Sequence, residues 1–273
     1  MPIEYKSDGD ILGMRAAGLV VARIHEALRA AARPGATTAE MDAVALDVLA
    51  SSGARSNFHG YRGYPAQICV SVNDEIVHGI PGERVLQAGD LVSFDCGAVL
   101  DGWHGDAAFS VVLDGGDRST RQARERLCAV TREAMWRGVA ALAAGRRIGD
   151  VGRAIDDYVV SLSDPLGIVE DYVGHGIGSA MHQEPDVPNY RTRSRGPKLR
   201  AGMVLCVEPM LTAGDQANRT LEDGWTVVTA DGSDACHWEH EVAVHSGGIW
   251  VLTSPDGGAQ ALAPFGVTPV PLG

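Results

Sequence analysis

The chain has 273 residues, 45% of them hydrophobic, and a formal net charge of −12. This hydrophobic fraction is sufficient for a buried core, and no apolar run reaches the roughly 18 residues that a membrane-spanning helix requires. The negative charge disfavours DNA as a partner, because binding to phosphates requires a positive surface. The composition therefore argues against a disordered, membrane-spanning or DNA-binding protein, and leaves open one large domain or two small ones.

The cysteines and the first residues indicate a reducing compartment. Five cysteines are present and none forms a C-x-x-C pair, which favours reduced thiols over a disulfide framework or a zinc knuckle. The opening MPIEYKSDGD contains neither a basic leader nor an apolar signal stretch. The cytoplasm is therefore the expected location.

The first part of the chain predicts two helices followed by strands. Apolar residues at helical spacing predict a helix over 8–32, which the sequence Arg33-Pro34-Gly35 terminates. The motif TTAE at 37–40 is a capping box and predicts a second helix that ends at Gly53. Strand-like segments follow at 67–72, 91–95 and 106–113.

The same order of elements recurs in the second part. A long helix is predicted over 121–144 and another from about 148 to 163, before the strands that carry the remaining candidate site residues. This repetition predicts an α+β fold in which two pseudo-symmetric halves, about 1–117 and 118–253, form one catalytic domain around one site. The tail 254–273 is rich in Pro, Gly and Ala and is predicted to be irregular.

Four carboxylates and one histidine lie in short apolar segments of strand character: Asp95, Asp106, His175, Glu208 and Glu239. Any one of these acids alone is equally well explained as a solvated strand end. Together they indicate bound cations or raised pKa values, because an ionised carboxylate in an apolar interior is strongly disfavoured without a partner. Oxygen donors with one imidazole suit Mn, Fe or Co better than structural zinc. Four carboxylates offset two divalent ions, which predicts a two-metal site and metal-assisted hydrolysis.

Three residues around Glu239 also need assignment. Strand alternation directs His237 and His240 away from the side that Glu239 faces, so neither is included among the expected ligands. The same alternation does not distinguish Glu239 from Glu241, since residues two apart face one side.

Longer motifs resemble those of type I methionine aminopeptidases, whose pita-bread fold is shared with aminopeptidase P, prolidase and creatinase. The resemblance extends from about Tyr5 to Thr253. It is carried by the segments ARPGATTAEMD, NDEIVHGIPG, FDCGAVLDGWHGDAAFS, VGHGIGSAMHQEP, LCVEPM, EDGWTVVTADGS and WEHEVAV. It implies a pita-bread fold around a dinuclear metal site, and removal of an N-terminal methionine when the next residue is small.

The resemblance also implies a role for each candidate ligand. Asp95 is expected to chelate one ion, Asp106 and Glu239 to bridge both ions, and His175 and Glu208 to complete the other. Glu208 is further expected to relay a proton from the attacking water to the leaving amine. The bridging acid of the family directly precedes a histidine, which implies Glu239 rather than its neighbour.

Substrate contacts are implied in the same way. His78 and His182 match two histidines of the family that are not ligands; His182 is expected to donate to the scissile carbonyl, and His78 to lie against the peptide nitrogen. The methionine pocket is implied to consist of Phe58, Tyr64, Cys69, Met181 and Trp225.

The implied cofactors are two divalent metal ions, Mn, Fe or Co. The implied partners are N-terminal Met peptides and nascent chains, with the ribosome as a further candidate, and a monomer is expected. Two alternatives stay open: an X-Pro aminopeptidase-like enzyme, and a catalytically silent pita-bread protein that only binds. Two residues depart from the family pattern, Arg62 where many members have His, and Glu241 where many have Thr.

Overall fold

The computed structural model describes residues 2–273, and its first two helices begin at capping boxes. Helix α1 (Asp8–Ala31) is capped by Ser7 and Asp10, and helix α2 (Thr38–Ser51) by Thr37 and Glu40. Each pair satisfies two backbone N–H groups that the first helical turn leaves without a partner. The capping box predicted at 37–40 is thus confirmed.

Three further helices and two short 3-10 helices follow along the described chain. They are α3 (Arg118–Ala144), α4 (Gly149–Val160) and α5 (Ala259–Leu262), with 3-10 helices at Tyr61–Gly63 and Ala263–Phe265. The predicted long helix is confirmed, and it begins three residues earlier because Asp117 accepts a hydrogen bond from the backbone of Thr120 as an N-cap.

The strands are β1 (Arg55–Ser56), β2 (Ile68–Val72), β3 (Glu75–Val77), β4 (Leu91–Leu100), β5 (Trp103–Val112), β6 (Gly167–Ile168), β7 (Gly174–Gly176), β8 (Gln183–Val187), β9 (Met203–Val207), β10 (Met210–Thr212), β11 (Asn218–Thr220), β12 (Val227–Thr229), β13 (Ala235–His237), β14 (His240–His245) and β15 (Gly248–Val251). They form four antiparallel sheets. In the first sheet β4 pairs with β5 on one edge and with β1 and β2 on the other, and the largest sheet has the order β15-β14-β9-β7-β8. The two remaining sheets have the orders β13-β10-β6 and β11-β12-β3.

One hydrophobic core joins both parts of the chain. Helix α1 packs on β4 and β5, and α3 packs on α4, β13 and β14. The cluster of buried apolar side chains runs from Leu28 and Phe94 in the first part to Val139 and Val242 in the second. The helices therefore cover the outer faces of the sheets and leave the inner faces for a site. The division into halves near residue 117 stays a prediction.

The tail 254–273 is more ordered than its composition predicts. It contains α5 and a 3-10 helix, Leu262 is fully buried in the main core, and the backbone N–H of Val270 donates to Ile249 O at 3.0 Å. The Arg15 guanidinium of helix α1 holds the start of this segment by donating to the carbonyl oxygens of Val251, Leu252, Ser254 and Pro255 at 2.6–3.2 Å. These contacts, which pair distant parts of the chain, explain why composition alone predicted an irregular segment.

None of the helices within residues 2–273 is both long and apolar enough to cross a membrane.

Candidate metal centre and substrate cavity

A cavity of about 330 Å³ lies between the sheets, and all the predicted site residues line it. They comprise the five candidate ligands, the two candidate helper histidines and the five candidate pocket residues, namely Asp95, Asp106, His175, Glu208, Glu239, His78, His182, Phe58, Tyr64, Cys69, Met181 and Trp225. Residues from four separate regions of the chain thus meet at one place.

Backbone pairing brings three of the acids together. In the β4–β5 hairpin Asp95 lies opposite Ala108, and Asp106 lies two residues before Ala108 on the same face. The backbone of Glu239 exchanges two hydrogen bonds with Ala108, at 3.0 and 3.3 Å. One oxygen from each of these acids lies within 4.8 Å of one oxygen of each of the others. The register of the β4–β5 hairpin and the pairing of Glu239 with Ala108 therefore determine this cluster.

His175 is oriented by the two glycines that flank it in β7. A Cβ at Gly174 would lie 2.2 Å from the carbonyl oxygen of Cys206, and one at Gly176 would lie 2.3 Å from that of Glu184, so only glycine allows β7 to fit between its neighbours. The Nδ1 of His175 lies 3.0 Å from Gly176 O. Because a carbonyl only accepts, Nδ1 carries the proton, and Nε2 is free to bind a metal ion. This Nε2 lies 3.4 Å from Glu208 Oε1.

Glu208 and Glu239 lie outside the strands that were predicted to contain them. Strand β9 ends at Val207, and Glu239 lies in the two-residue break between β13 and β14. Just past the end of β9, the carbonyl of Glu208 accepts a hydrogen bond from Asn189 Nδ2 at 3.1 Å. Both side chains still reach the cavity, as predicted.

Burial and mutual repulsion dominate the electrostatics of the cluster. Burial raises the pKa of Asp95 to about 7, and burial together with neighbouring carboxylates raises the pKa of Asp106, Glu208 and Glu239 well above the usual range. Burial also lowers the pKa of His175 to about 3, so its imidazole is neutral. A cluster of buried acids with raised pKa values, beside a neutral imidazole, is typical of a functional site.

The donor set fits divalent cations. Asp95 Oδ1, Asp106 Oδ1 and Glu239 Oε1 are buried and have no hydrogen-bond partner among residues 2–273. Buried carboxylate oxygens without a donor are strongly disfavoured unless a cation neutralises them. Carboxylates with one imidazole are the ligand types that Mn, Fe and Co accept.

His237 was wrongly placed by strand alternation. It lines the cavity, and its Nε2 lies 3.8 Å from Glu208 Oε2 without a hydrogen-bond partner in the described chain. Alternation fails because β13 ends at His237 and β14 begins at His240, so the period of two is interrupted at Glu239. His240 does point away, with Nδ1 lying 2.8 Å from Thr253 Oγ1.

Cys206 is a second residue near the site that sequence analysis missed. Its Sγ lies within 4.8 Å of ligand atoms of His175 and Glu239. It lies near the end of β9, two positions before Glu208, and that spacing was the available signal. Burial raises the pKa of this thiol well above its usual value, which favours a neutral thiol.

Glu241 is fully buried but faces away from the cluster of three acids. One of its oxygens accepts from the backbone N–H of Asp106 at 3.1 Å. Burial raises its pKa, and the charges of Lys6 and Arg15 oppose that rise. The Glu241 carboxyl therefore holds the backbone of Asp106, one of the candidate ligands. The acid that lies with Asp95 and Asp106 in the cluster is Glu239.

The candidate pocket residues form one apolar cluster beside the acids, in which Phe58, Tyr64, Cys69 and Met181 are buried and Trp225 packs against them. The rings of Tyr64 and Trp225 pack edge to face, with their centroids 5.0 Å apart. The Tyr64 hydroxyl lies 3.1 Å from the carbonyl oxygens of Ile68 and Gly79, which fixes the ring. The result is a rigid cup of a size and polarity suited to an unbranched apolar side chain.

His78 and His182, the two histidines expected to assist catalysis without binding metal, line the same cavity as the acids. Burial lowers the pKa of His78 to about 4, and burial together with the Arg62 charge lowers that of His182. His182 Nδ1 lies 3.2 Å from the Tyr61 hydroxyl. If that hydroxyl donates, Nε2 carries the proton and is available as a donor. His78 has a left-handed backbone with φ 62°, a conformation that is uncommon for residues other than glycine.

Comparison with known proteins gives consistent relatives. Residues 13–246 match the model of metallopeptidase family M24. The chain is 49% identical over 256 residues to methionine aminopeptidase 1 of Mycobacterium tuberculosis, covering 92% of this chain and 95% of that protein. It is 42% identical over 240 residues to methionine aminopeptidase 1 of Bacillus subtilis, covering 88% and 94%.

Solved structures agree with these relatives. A methionine aminopeptidase from Thermotoga maritima superposes with a TM-score of 0.87 at 38% identity, covering 93% of this chain and all of that one. A prolidase from Pyrococcus furiosus superposes with a TM-score of 0.69 at 18% identity, covering 92% of this chain and 65% of that one. The second match shows a common fold alone.

Proposed function

Because this chain belongs to metallopeptidase family M24 and, within it, to the methionine aminopeptidases of the pita-bread fold, we propose that it removes N-terminal methionine from peptides and nascent proteins. The next residue of the substrate is small in this proposal. The reaction is hydrolysis of the first peptide bond by a metal-dependent aminopeptidase.

The observation that carries the proposal is the position of the apolar cup relative to the acids. Both line one cavity of about 330 Å³, with Cys69 of the cup lying opposite Asp95 across the β2–β4 pairing. A methionine side chain in the cup therefore places its own peptide bond next to the carboxylates. A cavity of this size is large enough for a terminal methionine and the peptide bond that follows it.

Asp95, Asp106, His175, Glu208 and Glu239 would hold the divalent ions in this proposal. Bound ions supply Lewis acidity, which polarises a carbonyl and lowers the pKa of water toward neutrality. The oxygen-rich donor set supports Mn, Fe or Co as the metal.

The protein side chains divide the remaining work. Glu208 accepts the proton of the attacking water and passes it to the leaving amine. His182, with Nε2–H available as a donor, stabilises negative charge on the carbonyl oxygen. His78 lies against the peptide nitrogen, and its lowered pKa keeps its imidazole neutral there.

Cleavage of a peptide panel tests the proposal. We expect metal-reconstituted protein to release Met from Met-Ala-Ser and Met-Gly peptides, and to be far slower when a bulky residue follows Met. Chelation should abolish turnover and Mn, Co or Fe should restore it. Preferred cleavage of Ala-Pro peptides would favour the X-Pro aminopeptidase alternative, and no cleavage by the metal-loaded protein would favour a silent binding protein.

We also propose a cytoplasmic monomer that meets its substrates as nascent chains, with the ribosome as a candidate partner. The negative charge of −12 supports a location away from nucleic-acid surfaces, which makes any ribosomal contact local. Analytical ultracentrifugation and sedimentation with ribosomes test these two points.

A further inference from the structure

Two cysteines outside the cavity lie side by side. Helix α3 packs on strand β13, and this contact brings together Cys128 of the helix and Cys236 of the strand. Both residues lie beside Ser110: the Cys128 thiol donates to the Ser110 carbonyl at 3.4 Å, and the Ser110 hydroxyl exchanges hydrogen bonds with the backbone of His237, the next residue after Cys236. Cys128 is partly exposed, whereas Cys236 is buried, as are the three remaining cysteines. One thiol of the pair is therefore accessible to small molecules, and the other lies directly behind it.

The surroundings of Cys128 favour a thiolate. The indole N–H of Trp238 is buried, has no hydrogen-bond partner among residues 2–273 and lies near the Cys128 sulfur. The guanidinium groups of Arg29 and Arg132 lie 5.7 and 5.8 Å from the centre of the Trp238 ring. The neighbouring Cys236 thiol, the indole and the two positive charges outweigh burial and lower the pKa of Cys128 to about 7.

Cys236 has the opposite environment. It is fully buried, and burial raises its pKa well above the usual value. The hydroxyl groups of Ser110 and Thr131 contact its sulfur. The two cysteines thus differ as the attacking and the resolving thiol of a redox pair differ, one activated and exposed, the other protonated and protected.

We propose that Cys128 and Cys236 are a modification site at which a low-molecular-weight disulfide, such as oxidised glutathione, forms a reversible intrachain disulfide. The Cys128 thiolate attacks one sulfur of glutathione disulfide, which forms a mixed disulfide and expels one glutathione thiolate. The Cys236 thiol then loses its proton and attacks the Cys128 sulfur, which expels the second glutathione. Overall the protein loses two hydrogens and one glutathione disulfide becomes two glutathione thiols.

The cysteine pair is connected to the cavity through His237 and Ser110. Cys236 directly precedes His237, which lines the cavity. Ser110 of β5 donates to the carbonyl of His237 at 2.7 Å, and its own carbonyl accepts from the Cys128 thiol at 3.4 Å. A disulfide removes that second hydrogen bond and ties helix α3 to the strand that leads to Glu239. The modification itself does not depend on the proposed function.

Mass spectrometry of the reduced, metal-loaded protein after incubation with oxidised glutathione tests the proposal. We expect an intact mass lower by two hydrogens, a non-reducing peptide map that links the Cys128 and Cys236 peptides, and full reversal by a dithiol. Cys236→Ser should accumulate one glutathione on Cys128, because the resolving thiol is absent. Cys128→Ser should show neither the link nor the adduct.

Cys96→Ala serves as the matched control, since it removes a buried cysteine from β4 and should retain the mass loss. Circular dichroism checks that each variant is folded, and Cys236→Ala replaces Cys236→Ser if the serine is not tolerated. A stable glutathione adduct on Cys128 in the unaltered chain, a link between other cysteines, or no change in mass would each overturn the proposal.

Discussion

Glu239 and Glu241 are two residues apart, and their carboxylates meet different groups. Glu239 offers an oxygen to the cluster with Asp95 and Asp106, whereas Glu241 accepts from the backbone of Asp106. We therefore expect Glu239→Gln to lose bound metal and activity, because an amide cannot offset a divalent charge. Metal content by mass spectrometry, with activity on Met-Ala-Ser, measures this effect.

Glu241→Gln is the matched control for that experiment. The amide keeps an oxygen that can accept from the Asp106 N–H, so both metal content and fold should be retained. Loss of metal from the Glu241 variant with retention in the Glu239 variant would reverse the assignment of the two acids.

His78 and His182 offer a separate prediction, because a group that acts only in the transition state lowers turnover without loosening the metal. Replacing either with alanine should reduce kcat by about 10²-fold or more, as for other acid–base and oxyanion groups. Metal stoichiometry should be unchanged in both variants. A variant that loses an ion would instead identify its histidine as a ligand.

At the scale of single residues, motif resemblance predicted what strand periodicity did not. The residues assigned by motif all line the cavity. Alternation alone directed His237 away from the cavity that it lines, because the chain leaves its strand before Glu239; its exclusion from the ligands stays a prediction. Cys206 was missed since a cysteine on an apolar strand has the pattern of core. Breaks in a strand are set by tertiary contacts, such as the pairing of Glu239 with Ala108, and local sequence does not encode them.

At the scale of elements, helix α2 depends on its N-terminal cap. The Thr37 hydroxyl accepts from the backbone N–H of Glu40 at 3.1 Å, and the Glu40 carboxylate accepts from that of Thr37 at 2.6 Å. Thr37→Ala should lower the free energy of unfolding by about 0.5–2 kcal/mol, because the first turn loses an acceptor. Urea denaturation measures this, and Thr37→Ser, which keeps the hydroxyl, should change stability much less.

Helices were predicted better than strands for a physical reason. Caps and a period of 3.6 are local signals, so the bounds of α1 and α2 follow from residues within them. Strand β4 extends five residues past its predicted end at Asp95, through Cys96 and Gly97 to Leu100. It does so because β5 pairs with it along its entire length. That partner lies outside the window from which a strand is predicted.

At the scale of the whole molecule, Arg124 links the two predicted halves. Its guanidinium donates two hydrogen bonds to Asp234 at 2.9 Å and one to the carbonyl of Gly89 at 2.8 Å. Arg124→Gln should lower the free energy of unfolding by about 1–3 kcal/mol, the usual loss for hydrogen bonds to charged groups. Thermal denaturation of the metal-free protein measures it.

Arg126→Gln provides the comparison, since its partner Asp164 is 82% exposed and such pairs contribute little. Equal destabilisation by both variants would mean that the contacts of Arg124 stabilise the fold no more than an exposed ion pair does. The repeat of helices and strands predicted an α+β architecture, but only the resemblance predicted how the halves enclose a site, because pairing between distant strands leaves no local pattern.

The clamp of Arg15 on four carbonyl oxygens near Val251 and Pro255 has a mechanical consequence. A pull applied to the segment after Pro255 reaches helix α1 through this guanidinium before it reaches strand β14. Part of such a load would then pass into a helix on the outer face of the molecule. Glu239, the one cluster acid between β13 and β14, lies on neither of the two segments that this clamp joins, so strain at the end of the chain reaches it only through the pairing of β15 with β14.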